Sequence, residues 1–312
     1  MLKISIILLI AFFGHSYGRP VQSNPLSESE LTFGFNLLNH LSDNKNNVFY
    51  SPLSISMAFG MLYSGAKGKT AQELRDVLGY SSQNLMDQQI KDQFKKLITD
   101  MSAMDTKKYD LNVANKLIVQ KDFEILETFK EDLKKYFDSS IESVDFGQKS
   151  LEVMNSINQW VSHQTHDKIK KLLDKPLDPT TVAVILNAIY FKGVFQTKFL
   201  TNETKEEIFF TTDNNQIKAP MMRRKGKFNY TDIPSMDSKL LEIPYSGDDI
   251  SLYIILPNNR QGIKALTSYL NTPTHLENGI KALTTQEVEV TLPKFKIETT
   301  YSLNKALSEI LL

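Results

Sequence analysis

Residues 181–193, TVAVILNAIYFKG, constrain the fold more than any other stretch of the chain. Ala183, Ile185, Ile189 and Phe191 alternate with Val182, Val184, Leu186, Ala188 and Tyr190, so both faces of an extended segment would be apolar. A buried helix could show a similar run. The β-branched and aromatic content, the Pro179-Thr180-Thr181 entry and the Gly193 exit favour a strand buried on both sides. Asn187 interrupts it. An unpaired buried amide costs roughly 1 to 3 kcal/mol, so this one needs hydrogen-bonding partners. A polar group kept in a central strand points to a place where strands meet or part.

Upstream, Lys3 is followed by an apolar run over residues 4–13 and then by Ser16-Tyr17-Gly18, with small residues where a signal peptidase reads. Residues 1–18 are therefore expected to be a secretory leader cleaved after Gly18, and residues 19–312 a single exported, extracellular domain. The apolar run is too short to span a bilayer and no later stretch is long enough, so no membrane partner is expected. A chain of 312 residues can bury about 75% of its unfolded surface. Cysteine is absent, which favours one large domain with its own core over a disulfide-stapled module and excludes thiol catalysis and cysteine-ligated metal. Lys+Arg and Asp+Glu both number 36, so there is no global basic field for nucleic acid. Two sequons, Asn202-Glu203-Thr204 and Asn229-Tyr230-Thr231, make Asn202 and Asn229 candidate glycosylation sites on surface loops.

Ser27 and Glu30 form a capping-box pattern ahead of Leu31, Phe35, Leu38 and Leu41 at helical spacing. A short strand is expected over 48–50, then a helix with Ser51 as N-cap and Pro52 in its first turn, then a second capping box at Thr70 and Glu73. Helical or alternating periods follow in turn: a helix over 83–104, a strand through Leu111, Val113, Leu117 and Val119, a helix over 126–137, a strand over 141–146 and a helix through Leu151, Met154, Ile157 and Val161. From Glu206 onward the pattern changes to short strands with turns, EEIFF, QIKAPMM, KFNY, KLLEIPY, ISLYIILP and EVEVTLPKF, which imply antiparallel sheets. A helix over 263–270 interrupts them and another closes the chain. One α+β domain is expected.

Catalysis finds no anchor. Gly68-Lys69-Thr70 resembles the end of a phosphate loop, but Tyr63 stands where its first glycine should be and a helix precedes it instead of a strand. His163 and His166 have no third ligand at a diagnostic spacing, and no G-x-S-x-G elbow exists. No cofactor or metal is implied. Arg223, Arg224, Lys225 and Lys227 form the densest basic cluster. They are expected in a solvated turn between strands, with a heparin-like polyanion as the alternative use.

The segment NVFYSPLSISMAFGMLYSGAKGKTAQEL resembles the second-helix signature of the serpin family. TVAVILNAIYFKG is similar to the third strand of that family's large sheet. FNYTDIPSMDSKLLEIPYSGDDISLYIILP and EVEVTLPKFKIETTYSLNKALSEILL resemble two later blocks in the family's order. The resemblance runs from about Ser27 to the last residue. It implies three mainly antiparallel β-sheets with eight or nine helices, and inhibition of serine or cysteine endopeptidases as a suicide substrate: a reactive loop is cut and inserts as a new strand. By the same resemblance Ser51, Ser54 and Asn187 are the shutter, the polar cluster behind which the middle strands separate. Without the family, Ser51 reads as an N-cap and Ser54 as a helix surface residue. Phe195 stands at the top of the large sheet where the family often has tryptophan, which keeps aromatic packing and loses an indole donor. In family terms the reactive loop and closing strands come after the helix that ends at Leu312. The chain as written is therefore expected to be non-inhibitory, and its complete form to be a monomeric inhibitor with a target protease as partner. A non-inhibitory carrier, chaperone or storage serpin is the alternative.

Overall fold

The computed structural model describes residues 8–13, 25–42, 47–104, 107–211, 215–247, 249–297, 299, 301 and 303–310. In chain order these form β1 (Leu8–Phe13), α1 (Pro25–Leu41), α2 (Pro52–Gly65), α3 (Gly68–Val77), α4 (Asp87–Ser102), β2 (Tyr109–Gln120), α5 (Glu127–Phe137), β3 (Ser139–Val144) and α6 (Ser150–Gln164). Then come β4 (Ala183–Gly193), β5 (Thr204–Phe210), β6 (Gln216–Ile233), β7 (Ser238–Pro244), β8 (Ile250–Pro257), α7 (Ile263–Leu270), α8 (Pro273–Lys281), β9 (Thr284–Pro293) and α9 (Asn304–Ile310). Contacts divide the chain into two compact units. One comprises Pro25–Glu30 and Ser51–Lys192, and the other the described parts of Met1–Asn24, Leu31–Tyr50 and Gly193–Leu312.

In the first unit, Ser51 has an extended backbone and its Oγ accepts from Ser54 N at 3.2 Å, so α2 starts with the expected cap and with Pro52 where no N–H is needed. Ile90, Phe94, Ile98 and Met101 place one buried stripe on α4. The stripe meets α2 at Gly60, where an added Cβ would come within 2.7 Å of the Phe94 ring. Strands β2 and β3 pair in parallel, Asn115 opposite Ser139 through Gln120 opposite Val144, with α5 as the crossover that parallel pairing requires. The sheet order is β3-β2-β4. Ile118, Phe146, Val153, Ile157 and Leu186 form its core against α6.

Strand β4 departs from expectation. Only Leu186 and Ala188 are buried, Ala183 and Lys192 are exposed, and among the described residues β4 is an edge strand. A strand with one neighbour cannot be covered on both sides as a central one is. Both sequence-level capping boxes also fail. Helix α1 begins at Pro25, which puts Ser27 and Glu30 inside it, and α3 begins at Gly68, which puts Thr70 inside it with Lys67 as the cap residue.

In the second unit, β6 is 18 residues long and contains what the sequence divides into QIKAPMM and KFNY. Residues 216–222 of β6 pair with β5, residues 229–233 with β7, and β9 spans the join from Met221 to Tyr230. This shared strand fuses two of the three expected sheets, so the described residues contain one six-stranded and one three-stranded sheet. The core gathers Phe35 and Leu38 of α1, Leu240 of β7, Ile255 of β8, and Leu266, Leu270 and Leu276 of α7 and α8. Gly279 lets α8 close on β6, since a Cβ there would lie 2.6 Å from Ile233 Cδ1. Helix α8 has no counterpart in the sequence reading, and residues 48–50 are not a strand. Strand β1, inside the expected leader, pairs antiparallel with β8, Leu8 opposite Ile255 through Phe13 opposite Ile250, so cleavage after Gly18 would take this strand out of the sheet. The expected cleavage point at Gly18 and the terminal Leu311 and Leu312 lie outside the described residues.

Candidate functional site

A single file of hydrogen bonds ties three elements of the first unit together at Asn187. The Ser54 hydroxyl on α2 donates to Asn187 Oδ1 on β4. Asn187 Nδ2 donates to Asn115 Oδ1 on β2 at 2.7 Å and lies 3.6 Å from Met57 Sδ. Asn115, only 4% exposed, donates from Nδ2 to the Phe137 carbonyl at the end of α5 at 2.8 Å. The last acceptor fixes every orientation upstream. A carbonyl can only accept, so Asn115 must turn Nδ2 toward it and present Oδ1 to Asn187. Asn187 must then donate to Asn115 and accept from Ser54. A chain of this kind, aligned head to tail in a partly dry interior, is stronger than its separate bonds.

The amide that the sequence required to have partners thus has them. The expected trio is only partly assembled: Ser54 and Asn187 meet, whereas Ser51 is exposed and serves α2 as its cap, one step removed from Asn187. Asn115 was missed. Its signal is legible in retrospect, because Leu111, Val113, Leu117 and Val119 alternate on one face and Asn115 is the polar member of that same series. The network holds no nucleophile or acid–base pair. What it can do is hold the β2–β4 pair and α2 in one arrangement, at the cost of several unpaired buried groups if it parts.

The remaining sequence-level sites fall elsewhere. Phe195, two residues beyond β4, stacks on Tyr245 with ring centroids 4.7 Å apart and meets Phe199 edge-on. The basic cluster is not in a turn. Arg223, Arg224, Lys225 and Lys227 lie within β6, opposite Thr291, Val290, Glu289 and Glu287 of β9. Arg223 pairs with Glu207 at 3.1 Å and Glu289 at 3.5 Å, and Lys225 with Glu287 at 2.6 Å. Lys225 accordingly holds the Glu287 carboxyl below its ordinary range. Arg224 alternates to the face that carries Phe228, with Nε buried and unpartnered among the described residues. A cluster so neutralised makes a poor polyanion site.

Asn202 is exposed in a short 3₁₀ turn before β5. Asn229 is not on a loop, as expected, but inside β6. His163 ends α6 beside Gln164, while His166 faces Tyr190 and Asp110, so the two do not converge. Gly68-Lys69-Thr70 is the first turn of α3, with Lys69 3.3 Å from Glu73. Among the described residues no group of three His, Cys, Asp or Glu could hold a metal, and no helix is long and apolar enough to cross a membrane.

The arrangement is a helix-backed sheet whose edge strand is tied to its neighbours by side-chain hydrogen bonds, and the family comparison identifies the class. Residues 28–311 match the family model described as Serpin (serine protease inhibitor), and the chain belongs to that family. It is 36% identical over 299 residues to human (Homo sapiens) Serpin B3, covering 91% of this chain and 76% of that protein. It is 38% identical over 269 residues to Intracellular coagulation inhibitor 1 of Tachypleus tridentatus, covering 86% and 64%. Among solved structures, the emu (Dromaius novaehollandiae) ovalbumin superposes with a TM-score of 0.87 at 26% identity, covering 91% of this chain and 77% of that one. Cleaved Serpin 42Da gives 0.84 at 31% identity, covering 92% and 76%. The serpin fold expected from the sequence motifs is thereby established.

Proposed function

We propose that the protein is a secreted inhibitor that traps a serine or cysteine endopeptidase as a suicide substrate, with β4 as the strand beside which its cleaved loop enters. The observation that carries this is the Ser54–Asn187–Asn115 relay, which fastens that edge strand to the helix behind it and to its one neighbour. Insertion beside β4 is β-strand addition: an edge of 11 residues offers on the order of ten outward N–H and C=O groups to an incoming strand. At roughly 1 kcal/mol net per bond that pairing is a substantial driving force. Relatives named as coagulation inhibitors support the protease-directed reading. The apolar run after Lys3 supports secretion. The ion-paired state of Arg223 and Lys225 weighs against a polyanion partner, and none is proposed. No residue is assigned a catalytic role.

The test uses the product of the complete coding sequence from a eukaryotic secretory host, incubated with trypsin-, chymotrypsin-, elastase- and papain-like enzymes. An SDS-stable complex with one of them is expected. A product that is cut or left intact by every enzyme, with no covalent species, refutes inhibition and favours a carrier, chaperone or storage role.

A further inference from the structure

We propose that Asn202 is this protein's N-glycan acceptor and that Asn229, in an equally complete sequon, is kept free of glycan by the buried carboxylate of Glu242. The inference rests on the secretory reading above and goes beyond it.

Glu242 lies in β7 and is 4% exposed. Its Oε1 accepts from Ser251 Oγ at 2.7 Å and from the Tyr253 hydroxyl at 3.1 Å, both on β8. Its Oε2 accepts from Asn229 Nδ2 at 2.8 Å. Asn229 stands opposite Glu242 on one side and opposite Thr285 of β9 on the other, and Thr285 Oγ1 donates to its Oδ1 at 2.7 Å. The amide orientation is again dictated by its partner, since a carboxylate accepts and a hydroxyl can donate. Nδ2, the atom a glycan would occupy, therefore points at a buried oxygen between two paired strands. Burial and the Glu242 charge together push the Tyr253 phenol well above its usual range.

N-glycosylation joins the amide nitrogen to the anomeric carbon of a lipid-linked oligosaccharide. The bond from that carbon to the lipid pyrophosphate breaks, the pyrophosphate leaves with the electron pair, and one amide proton is lost. At Asn229 a sugar ring would have to fit where the contact to Glu242 is 2.8 Å. A chain so modified cannot close β6 on β7 and leaves a buried carboxylate short of a donor. Asn202 is under no such constraint. It is exposed in the turn Thr201–Glu203, and its side chain makes no hydrogen bond among the described residues.

Thr204→Ala and Thr231→Ala each abolish one sequon and leave both asparagines in place. Each is secreted from a eukaryotic host beside the wild type and mapped by peptide mass spectrometry after enzymatic deglycosylation, which converts an occupied Asn to Asp. The expected result is one occupied site in the wild type at Asn202, the same in Thr231→Ala, and none in Thr204→Ala. Occupancy of Asn229 in folded, secreted protein, or a glycan that survives Thr204→Ala, overturns the proposal. A processed N-terminus near Gly18 with Asn202 unmodified overturns it while the secretory reading stands. An unprocessed Met1 terminus without glycan overturns both.

Discussion

Replacing Glu30 with Gln should change the pH dependence of stability more than any other single substitution in the first unit. Glu30 lies in α1, where the sequence suggests a cap. Instead its Oε1 is sealed from solvent without a partner among the described residues. Burial raises its carboxyl from 4.5 to about 8, and its charge in turn helps raise the Tyr80 phenol. The native state therefore keeps the proton between pH 4.5 and about 8 while the unfolded chain has lost it. Stability from the neutral acid is complete below 4.5 and drains away as pH rises through 8. The ceiling is about 1.4 kcal/mol per pH unit. Part of the residue still touches solvent, which trims the total to an expected ~2 to 4 kcal/mol, a large share of a typical stability of about 5 to 15 kcal/mol. Gln does not titrate, so subtracting the two profiles cancels every other group. Urea unfolding at pH 5, 6, 7 and 8, followed through Trp160, the only tryptophan, should show the variant gaining on the wild type at each step. Parallel profiles would refute the buried-acid reasoning.

Asn187→Leu removes both the acceptor of Ser54 and the donor to Asn115. It should cost about 2 to 4 kcal/mol and raise the multimeric fraction on native gels; an unchanged urea midpoint and monomer fraction would show that Asn187 locks nothing. Asn115→Ala should destabilise in the same direction, and a cycle with Asn187→Ala should return a coupling of roughly 0.5 to 3 kcal/mol, whereas additive effects would separate the two. Arg223 and Lys225 should give weak, salt-labile retention on heparin, strengthened by Glu287→Gln with Glu289→Gln; retention that ignores both salt and those changes would place any polyanion site elsewhere.

How much of this was legible depended on whether a signal was local. Helices α5, α6 and α7 fall within a few residues of their apolar periods, because a 3.6-residue stripe records which face is covered. Strand β6 was misdivided because Gly226 and the cations read as a break, yet backbone pairing with β9 continues through them. The charges that looked like a solvated turn are the outward members of a strand, answered by glutamates more than sixty residues away, as the Arg223–Glu289 pair shows.

Buried polar residues show the same limit and a way past it. Asn187 announced that it needed partners, but nothing near it in sequence could name Asn115, 72 residues earlier. Glu242, in the run KLLEIPY, gave no warning of a site at all, since one acid among apolar residues reads equally well as the outward face of an amphipathic strand. The two cases become alike once each polar residue is assigned to its face. Asn115 belongs to the buried series of β2, and Glu242 shares its face of β7 with the buried Leu240. A polar side chain on an apolar face must be paired at a distance, because the alternative costs more than the pairing gains. In this chain the two long-range pairs bear on the two proposals: one ties down β4, the strand proposed to receive an inserting loop, and the other occupies the amide of Asn229, the sequon proposed to stay unmodified.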